Sequence, residues 1–498
     1  MTQHTRTNPP AASQQAGSPD PLSGYVSPLT TRNASAQMQA IWSPKTKIGH
    51  WRTLWLILAQ SEQTLGLPIT NEQIAQLAAH LEPTDAEFAA AAEYEKQLRH
   101  DVMAHVHALG DVAPAARPII HLGATSQFIN CNTDILLFRD AIDLVCVKIA
   151  RVIDALADFA VAWRDLPCLA FTHYQAAQPT TVGRRAAGWA HDLSLTLARL
   201  EQTRSELRLR GVKGATGTQA SFLALFDGDA DKVQRLDDFV CEKLGFDRDH
   251  QLLLTGQTYP RVVDAFVLSD LASLASVAHK VCNDIRLLAN RKELDEPFGS
   301  SQIGSSAMPY KRNPMRCERA TGLARFVMSL THNAYDTAAT QWLERTLDDS
   351  ANRRLSLPES FLATDGFLDL LHNIAGGLIV HEATVRANLA AELPFLASEN
   401  IMMAAVKLGQ DRQVVHEAIR QHSQAAGSRI KDEGKPNDLL ERLKNEPTLA
   451  GVDLENELDP ARYVGLAPQQ VDRFIAHVVM PMRNQYADQL APPPEPTV

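Results

Sequence analysis

The chain has 498 residues, of which 45% are hydrophobic and 21% charged, an ordinary composition for a globular protein with a large core. Its formal net charge of −10 argues against a nucleic-acid partner. No apolar run approaches the roughly 18 residues of a membrane span, so we expect no membrane partner. The polar first residues also lack the apolar core of a signal peptide. The length allows about three domains.

The six cysteines are scattered along the chain without any C-x-x-C pair. This pattern is typical of reduced, buried thiols in a cytoplasmic protein, and it argues against a zinc site. We therefore expect a cytoplasmic location. The cysteines are Cys131, Cys146, Cys168, Cys241, Cys282 and Cys317.

Both ends of the chain have the composition of disordered tails. Residues 1–22 combine Pro9, Pro10, Pro19 and Pro21 with small polar residues. The last residues, from Pro492 onwards, have the same character.

Between the tails, the apolar residues alternate three and four positions apart, which is the spacing of a helix face. This pattern predicts helices from Asp134 to Arg164, from Thr181 to Arg210 and from Val262 to Lys292. Asp134 is a predicted helix cap, and Gly211 is the predicted stop of the second helix. Each predicted helix has about 30 residues and is therefore about 45 Å long.

Helices of this length need long partners, which predicts an all-α bundle. The first helix is apolar on more than one side, since Leu144 and Val147 lie beside Ile142 and Val145. Such broad apolar faces favour a bundle that is shared between subunits. The alternation expected of strands is scarce.

The most specific motif runs from Gly304 to Pro314 and reads G-S-S-A-M-P-Y-K-R-N-P. Gly304, Pro309 and Pro314 keep regular structure out of this segment. The segment resembles the G-S-S-x-M-P-x-K-x-N-P signature of the fumarase/aspartase superfamily, whose members eliminate fumarate from succinyl-type substrates.

The resemblance extends from about Ser27 to Leu490, and within the superfamily it points to the adenylosuccinate lyases. The segments that carry it are Arg99–Val106, His121–Ser126, Phe171–Gln175, Thr255–Tyr259 and Glu344–Arg354. The resemblance implies a homotetramer in which the long helices of all subunits form one bundle. It also implies three helical domains, at residues 23–125, 126–380 and 381–498.

The reaction that the resemblance implies is a β-elimination that splits a C–N bond. The expected substrates are adenylosuccinate, which gives AMP, and the succinylated aminoimidazole carboxamide ribotide (SAICAR), which gives AICAR. The chemistry requires an acid and a base but no metal and no organic cofactor. By family resemblance, Ser305 is the base and His173 is the acid. The residues alone do not separate Ser305 from Ser306, and Ala176 stands where relatives usually have proline.

A substrate with three anionic groups needs several cations and hydrogen-bond donors. The resemblance assigns the phosphate to Arg345, Ser350 and Arg354. It assigns the succinyl carboxylates to five further side chains, which are Thr125, Ser126, Gln257, Lys311 and Asn313. The remaining expected binding residues are Arg32, Asn33, Arg99, His100, Asp101 and Arg319.

Some positions in these motifs have other interpretations. The family commonly has tyrosine at the position of Asn33, so one aromatic contact is lost. His105 and His107 are expected to be structural. The glycine-rich segment 211–218 lacks the G-K-[ST] ending of a phosphate loop, and we expect it to line the site.

Two alternative functions share the same scaffold. The first is argininosuccinate lyase or another lyase of the superfamily. The block from Arg345 to Arg354 argues against it, because an amino-acid substrate needs no phosphate clamp. The second is a non-catalytic structural protein. The presence of both Ser305 and His173 argues against that, because a structural protein would be free to lose them.

Overall fold

The computed structural model describes residues 23–299 and 302–490, so both predicted tails lie outside the described residues. The all-α prediction is confirmed, because helices account for most of the described residues. The helices outside the central bundle are α1 (Ala36–Ile41), α2 (Pro44–Thr64), α3 (Asn71–Ala79), α4 (Asp85–Leu98), α5 (Asp101–Val112), α8 (Ala220–Leu225), α9 (Ala230–Lys243), α13 (Glu382–Leu396), α14 (Ser398–Lys407), α15 (Arg412–Glu433), α16 (Leu439–Lys444), α17 (Leu454–Glu457), α18 (Ala467–Phe474) and α19 (Met480–Gln485).

Five long helices pack together and form the centre of the molecule. They are α6 (Ser126–Ala162), α7 (Val182–Glu206), α10 (Val262–Asn290), α11 (Met315–Ala339) and α12 (Asp349–Gly376). Their inward faces carry fully buried apolar side chains such as Phe138, Leu271 and Phe361. Long helices can stay regular here because their neighbours in the bundle are equally long.

The predicted start of the first long helix at Asp134 is wrong, since α6 begins at Ser126. Its first turns bury the polar residues Asn132 and Thr133 together with Phe128 and Ile129. These buried polar residues interrupt the apolar pattern on which the prediction relied. The Asn132 amide is satisfied, because it donates to the carbonyl of Phe128 at 2.8 Å.

A hairpin that the sequence did not predict joins α6 to α7. Its strands are β1 (Pro167–Thr172) and β2 (Gln175–Thr181), which pair antiparallel. Thr172 pairs with Gln175, so His173 and Tyr174 form a two-residue turn. The only other paired strands among the described residues are the short β3 (Leu294–Asp295) and β4 (Ile379–Val380).

The segment after α12 forms a second, smaller apolar cluster. Buried side chains of α14, α15 and α16 make up most of it, including Ile401, Val415 and Leu439. The final helices return to the large core, where Val471 and Met482 are buried. The six cysteines are free and buried, as expected.

Among the described residues, the helix α10 is long and apolar enough to resemble a membrane span. This resemblance rests on length and composition alone, over a window of 18 residues in α10. Half of that window is buried inside the chain. The core helix of a water-soluble bundle has the same composition, so the pattern by itself does not indicate a membrane.

Glu62 on α2 is a fully buried carboxyl, and neither of its oxygens has a hydrogen-bond partner among the described residues. Burial raises its pKa from 4.5 to about 9. The folded chain therefore keeps a proton that the unfolded chain releases, and the free energy of unfolding falls as pH rises between these two values.

Replacing Glu62 with glutamine removes this titration while keeping the shape of the side chain. We expect the variant to gain stability relative to wild type as pH rises from about 5.5 to 8, by about 1–3 kcal/mol. Thermal unfolding followed by circular dichroism at the two pH values measures the difference. An equal difference between the proteins at both pH values would contradict the prediction.

Candidate active site

The first part of the site lies between α4 and α5. Arg99 ends α4 in a left-handed conformation, with φ of 52°. His100 then caps α5, because its Nδ1 accepts from the Met103 amide at 3.3 Å. With Nδ1 as acceptor, the neutral ring carries its proton on Nε2, which lies 3.4 Å from Ser126 Oγ. The cap therefore sets both the tautomer and the direction of His100.

The N-terminus of α6 provides the second part. Thr125 is the residue before this helix, and Ser126 is its first residue. The Gln257 side chain donates to Thr125 Oγ1 at 3.4 Å, while the Gln257 backbone donates to the Glu344 carbonyl at 2.9 Å. These bonds bring three distant loops together at one helix end, where the helix dipole favours an anion.

The start of α12 adds the cations. Arg345 pairs with the fully buried Asp349 at 2.9 Å, and Arg261 pairs with the same carboxylate at 2.6 Å. Arg354 is exposed and pairs with Asp101 at 2.7 Å. A cavity of about 370 Å³ is lined by Asp101, Arg345, Ser350 and Arg354, among others. The cavity offers guanidinium and hydroxyl groups to an anionic ligand.

The signature segment folds back on itself around Gly304. Asn313 donates its side-chain amide to the Gly304 carbonyl at 2.8 Å. A Cβ on Gly304 would overlap the carbonyl of Lys311, so only glycine fits there. The Lys311 side chain itself is exposed.

The two serines of this segment differ in their surroundings. The Ser305 hydroxyl accepts from the backbone N–H of Met308 at 3.1 Å and from that of Ala307 at 3.4 Å. Ser306 is exposed, and its hydroxyl makes no hydrogen bond within the described ranges. Two N–H groups directed at one oxygen stabilise negative charge on it. Of the two serines, only Ser305 thus has its hydroxyl oxygen directed at two backbone N–H groups.

His173 lies at the tip of the hairpin and is exposed. Its φ is 54° and that of Tyr174 is 55°, the left-handed conformations that a two-residue hairpin turn requires. Such conformations are uncommon for residues other than glycine, although asparagine, aspartate and histidine adopt them more often than the rest.

Arg32 and Arg319 lie close to each other. Arg32 belongs to a π-helical turn, Leu29–Asn33, and Arg319 lies on α11. Burial lowers the pKa of Arg319, and the nearby Arg32 guanidinium lowers it further. Neighbouring guanidinium groups suit an anion with more than one charge. The Asn33 side chain donates to the Pro28 carbonyl at 2.8 Å.

Several expected binding residues thus meet within one chain. They are His100, Asp101, Thr125, Ser126, Gln257, Arg345, Ser350 and Arg354. Among the described residues, Ser305 and His173 make no hydrogen bond to this cluster. They also make no hydrogen bond to each other. The glycine-rich segment is close to the cluster, because a Cβ on Gly217 would overlap the carbonyl of Thr255.

Sequence analysis missed the buried charges that hold these residues in place. Arg353 donates to Asp264 at 2.6 Å and to Asp134 at 2.8 Å, which ties α12 to α10 and α6. The buried Asp349 accepts hydrogen bonds from both Arg261 and Arg345, and so it holds Arg345 in place. The available signal was the presence of Asp134 and Asp264 near the ends of otherwise apolar helices.

His105 is packed between two aromatic rings, as a structural residue would be. It lies edge-on to Trp51 and Phe88, with ring centroids 5.6 and 5.8 Å away. Burial lowers its pKa to about 4. His107 stacks on Tyr94 at 5.1 Å. In the described ranges, no group of three or more His, Cys, Asp or Glu residues is arranged to hold a metal ion.

Comparison with known proteins extends the resemblance over the whole fold. Residues 31–329 match a family model described as Lyase, and residues 394–474 match one described as Adenylosuccinate lyase C-terminus. The adenylosuccinate lyase of Saccharomyces cerevisiae is 51% identical, and the alignment covers 91% of this chain and 94% of that protein. The adenylosuccinate lyase of Schistosoma mansoni is 47% identical, over 95% of this chain and 98% of that protein.

Solved structures give the same result at lower identity. A fumarate lyase from Mesorhizobium sp. BNC1 is 25% identical with a TM-score of 0.76, covering 89% of this chain and 98% of that one. A 3-carboxy-cis,cis-muconate lactonizing enzyme from Pseudomonas putida is 26% identical with a TM-score of 0.77, covering 91% and 98%. With its signature loop, its helical bundle and relatives of about half identical sequence, the chain belongs to the adenylosuccinate lyase family of the fumarase/aspartase superfamily.

Proposed function

We propose that the chain is a C–N lyase that eliminates fumarate from adenylosuccinate, giving AMP, and from SAICAR, giving AICAR, in purine nucleotide synthesis. The observation that carries the proposal is the Ser305 hydroxyl, which faces two backbone N–H groups inside the superfamily signature. The identity to adenylosuccinate lyases over nearly the whole chain supports the choice of substrate.

Ser305 acts as the base in this proposal. Its alkoxide removes a proton from the CH₂ group of the succinyl moiety. This carbon is the neighbour of the carbon bonded to nitrogen. The electron pair of that C–H bond forms the second half of the carbon–carbon double bond of fumarate. The electrons of the C–N bond pass to the departing nitrogen. His173 donates a proton to that nitrogen. One proton is taken and one is given, so the elimination needs no redox partner.

The binding groups divide according to the charges of the substrate. Arg345, Ser350 and Arg354 take the phosphate at the cavity beside α12. The donors at the start of α6, together with Gln257, Lys311 and Asn313, take the succinyl carboxylates, where charge builds up as the proton leaves. His100, oriented by its cap on α5, directs Nε2 toward this region.

A spectroscopic assay tests the function. Mixing the purified chain with adenylosuccinate is expected to produce the ultraviolet change of AMP formation, also in the presence of EDTA. Argininosuccinate serves as the control substrate. Turnover of argininosuccinate alone would assign another superfamily lyase, and no turnover of any succinyl substrate would favour a structural protein.

Arg354→Ala is expected to raise KM for adenylosuccinate by about tenfold or more while kcat changes by less than about threefold. The phosphate lies away from the breaking bond, so its contacts act alike in the ground and transition states. Steady-state kinetics measure both constants. Arg386→Ala is the matched control, since Arg386 is also exposed and ion-paired but lies on α13. An unchanged KM with a sharply reduced kcat would contradict a phosphate role.

We also propose a homotetramer in which each active site combines residues of more than one chain. Apolar side chains on the long helices support this, because Leu195, Phe266 and Leu287 are each about half exposed in a single chain. The lack of any hydrogen bond between Ser305 and His173 in the described part of one chain is consistent with this proposal. The free, buried cysteines fit our proposal that the enzyme works in the reducing cytoplasm.

Our proposed domain division places an N-terminal domain at residues 23–125, the long-helix domain at 126–380 and a C-terminal domain at 381–498. The separate apolar cluster of α14–α16 supports the last boundary. The boundary near residue 125 coincides with the start of α6.

A further inference from the structure

We propose that Asp365 is a positioning residue for substrate binding, which holds the turn that carries Arg32 against α12. This inference rests on the proposed function and on the family resemblance, which assigns Arg32 to substrate binding. Asp365 lies in the middle of α12, belongs to none of the sequence motifs and is fully buried.

The Asp365 carboxylate binds Ser35, which lies two residues after the end of the turn that carries Arg32. The backbone N–H of Ser35 donates to Oδ2 of Asp365 at 2.5 Å, and the Ser35 hydroxyl donates to Oδ1 at 3.1 Å. The same hydroxyl accepts from the Met38 amide at 3.3 Å and so caps α1. One carboxylate therefore fixes the end of the turn and the start of the next helix together.

A buried lysine balances the charge of this carboxylate. Lys148 on α6 is 2.5 Å from Asp365 and 2.7 Å from Asp369, and it is almost fully buried. A buried carboxylate needs such a partner to remain ionised. As an ion, Asp365 accepts stronger hydrogen bonds from Ser35 than a neutral group would.

The backbone of α12 is shaped for the same contact. A Cβ on Gly366 would lie 2.9 Å from the carbonyl oxygen of Asn33, so the turn rests directly on the helix at this glycine. Asn33 follows Arg32 immediately and ends the π-helical turn. Gly366 thus contacts the end of the turn at Asn33, and Asp365 holds Ser35 two residues later.

The position of Arg32 matters because its side chain is exposed and long. An exposed arginine on a loose turn would lose considerable freedom when it binds a ligand, and this loss weakens affinity. A turn held by Asp365 keeps the guanidinium near Arg319 before the substrate arrives. The carboxylate acts through Arg32 and does not itself touch the substrate.

The pair of carboxylates on Lys148 supplies a matched control. Asp365→Asn and Asp369→Asn each remove one negative charge next to Lys148, but only Asp365 bonds to Ser35. We expect Asp365→Asn to raise KM for adenylosuccinate about tenfold with kcat changed less than about threefold. Asp369→Asn should change neither constant by more than about twofold.

Two further measurements separate positioning from a general structural effect. In an Arg32→Ala background, Asp365→Asn should raise KM no further, because the residue through which it acts is gone. Amide hydrogen exchange of residues 29–35 should become about tenfold faster in Asp365→Asn and stay unchanged in Asp369→Asn. Gly366→Ala, which alters no charge, should reproduce both the KM and the exchange effects, and it replaces Asp365→Asn if that variant does not fold.

Three results would overturn the proposal: equal KM effects of the two aspartate variants, a persistent Asp365→Asn effect without Arg32, or unchanged exchange of the turn. A failure of the proposed function would appear separately, as wild-type protein that does not turn over adenylosuccinate. The exchange comparison still decides in that case whether Asp365 holds the turn.

Discussion

Ser305→Ala is expected to reduce kcat for adenylosuccinate by about 10²–10⁴-fold, the range for loss of a general acid–base group, or by more if no other group can take the proton. The Ser305 hydroxyl alone receives the two N–H groups of Ala307 and Met308. Without the oxygen, these donors have no alkoxide to stabilise, and the proton has no acceptor at this position. Single-turnover measurements, with the enzyme in excess over substrate and at a saturating concentration, report the chemical step directly.

Ser306→Ala is the matched control for this prediction. It removes the same hydroxyl from the same segment, but from a position that is exposed and outside the pair of N–H donors. We expect less than about a tenfold change in kcat. Both serines lie outside the helices, so the melting temperatures of both variants should stay close to that of wild type. An active Ser305→Ala protein and an inactive Ser306→Ala protein would reverse the assignment of the base.

The bundle could be predicted from sequence because apolar residues three and four positions apart indicate the buried face of a helix. The predicted start of α6 was wrong because the buried polar residues Asn132 and Thr133 interrupt the apolar spacing in its first turns. The hairpin was missed for a related reason. Its strands are short and its turn residues, His173 and Tyr174, lack the glycine or asparagine that usually marks a two-residue turn.

The candidate site divides in the same way. Contiguous motifs predicted the candidate chemical groups, such as Ser305 and His100, because each motif has a fixed local spacing. The residues that hold those groups lie far apart in sequence. Asp365 and Ser35, or Arg353 and Asp134, meet only after the helices have packed. An aspartate such as Asp365 resembles a solvent-facing one in the sequence, whereas the apolar surroundings of Asp134 gave a signal of burial but not the identity of its partner.

Loss of the proposed acid, His173, is the second change for which we expect a large effect. His173→Asn should reduce kcat by about 10²–10⁴-fold, because the departing nitrogen loses its proton donor. Asparagine is the suitable replacement, because it tolerates the left-handed conformation at the tip of the hairpin better than alanine does. The hairpin should therefore keep its shape, and the loss should be chemical.

Mixing the two inactive variants tests whether the site is shared between chains. If each site takes its serine from one chain and its histidine from another, random reassembly of Ser305→Ala with His173→Asn restores both groups in about one quarter of the sites. Activity should then rise from background to about one quarter of the wild-type value. Mild dissociation and reassociation, with native mass spectrometry to verify mixed tetramers, makes the result interpretable.

Wild type mixed with the double variant, Ser305→Ala combined with His173→Asn, provides the opposite control. A shared site again leaves about one quarter of the sites intact, whereas a site built within one chain leaves about one half. The two models thus differ in both mixtures. Inactive mixed tetramers of the single variants, together with half activity in the control, would mean that Ser305 and His173 come from the same chain. The hairpin would then have to move toward the Ser305 segment within its own chain before the reaction could occur.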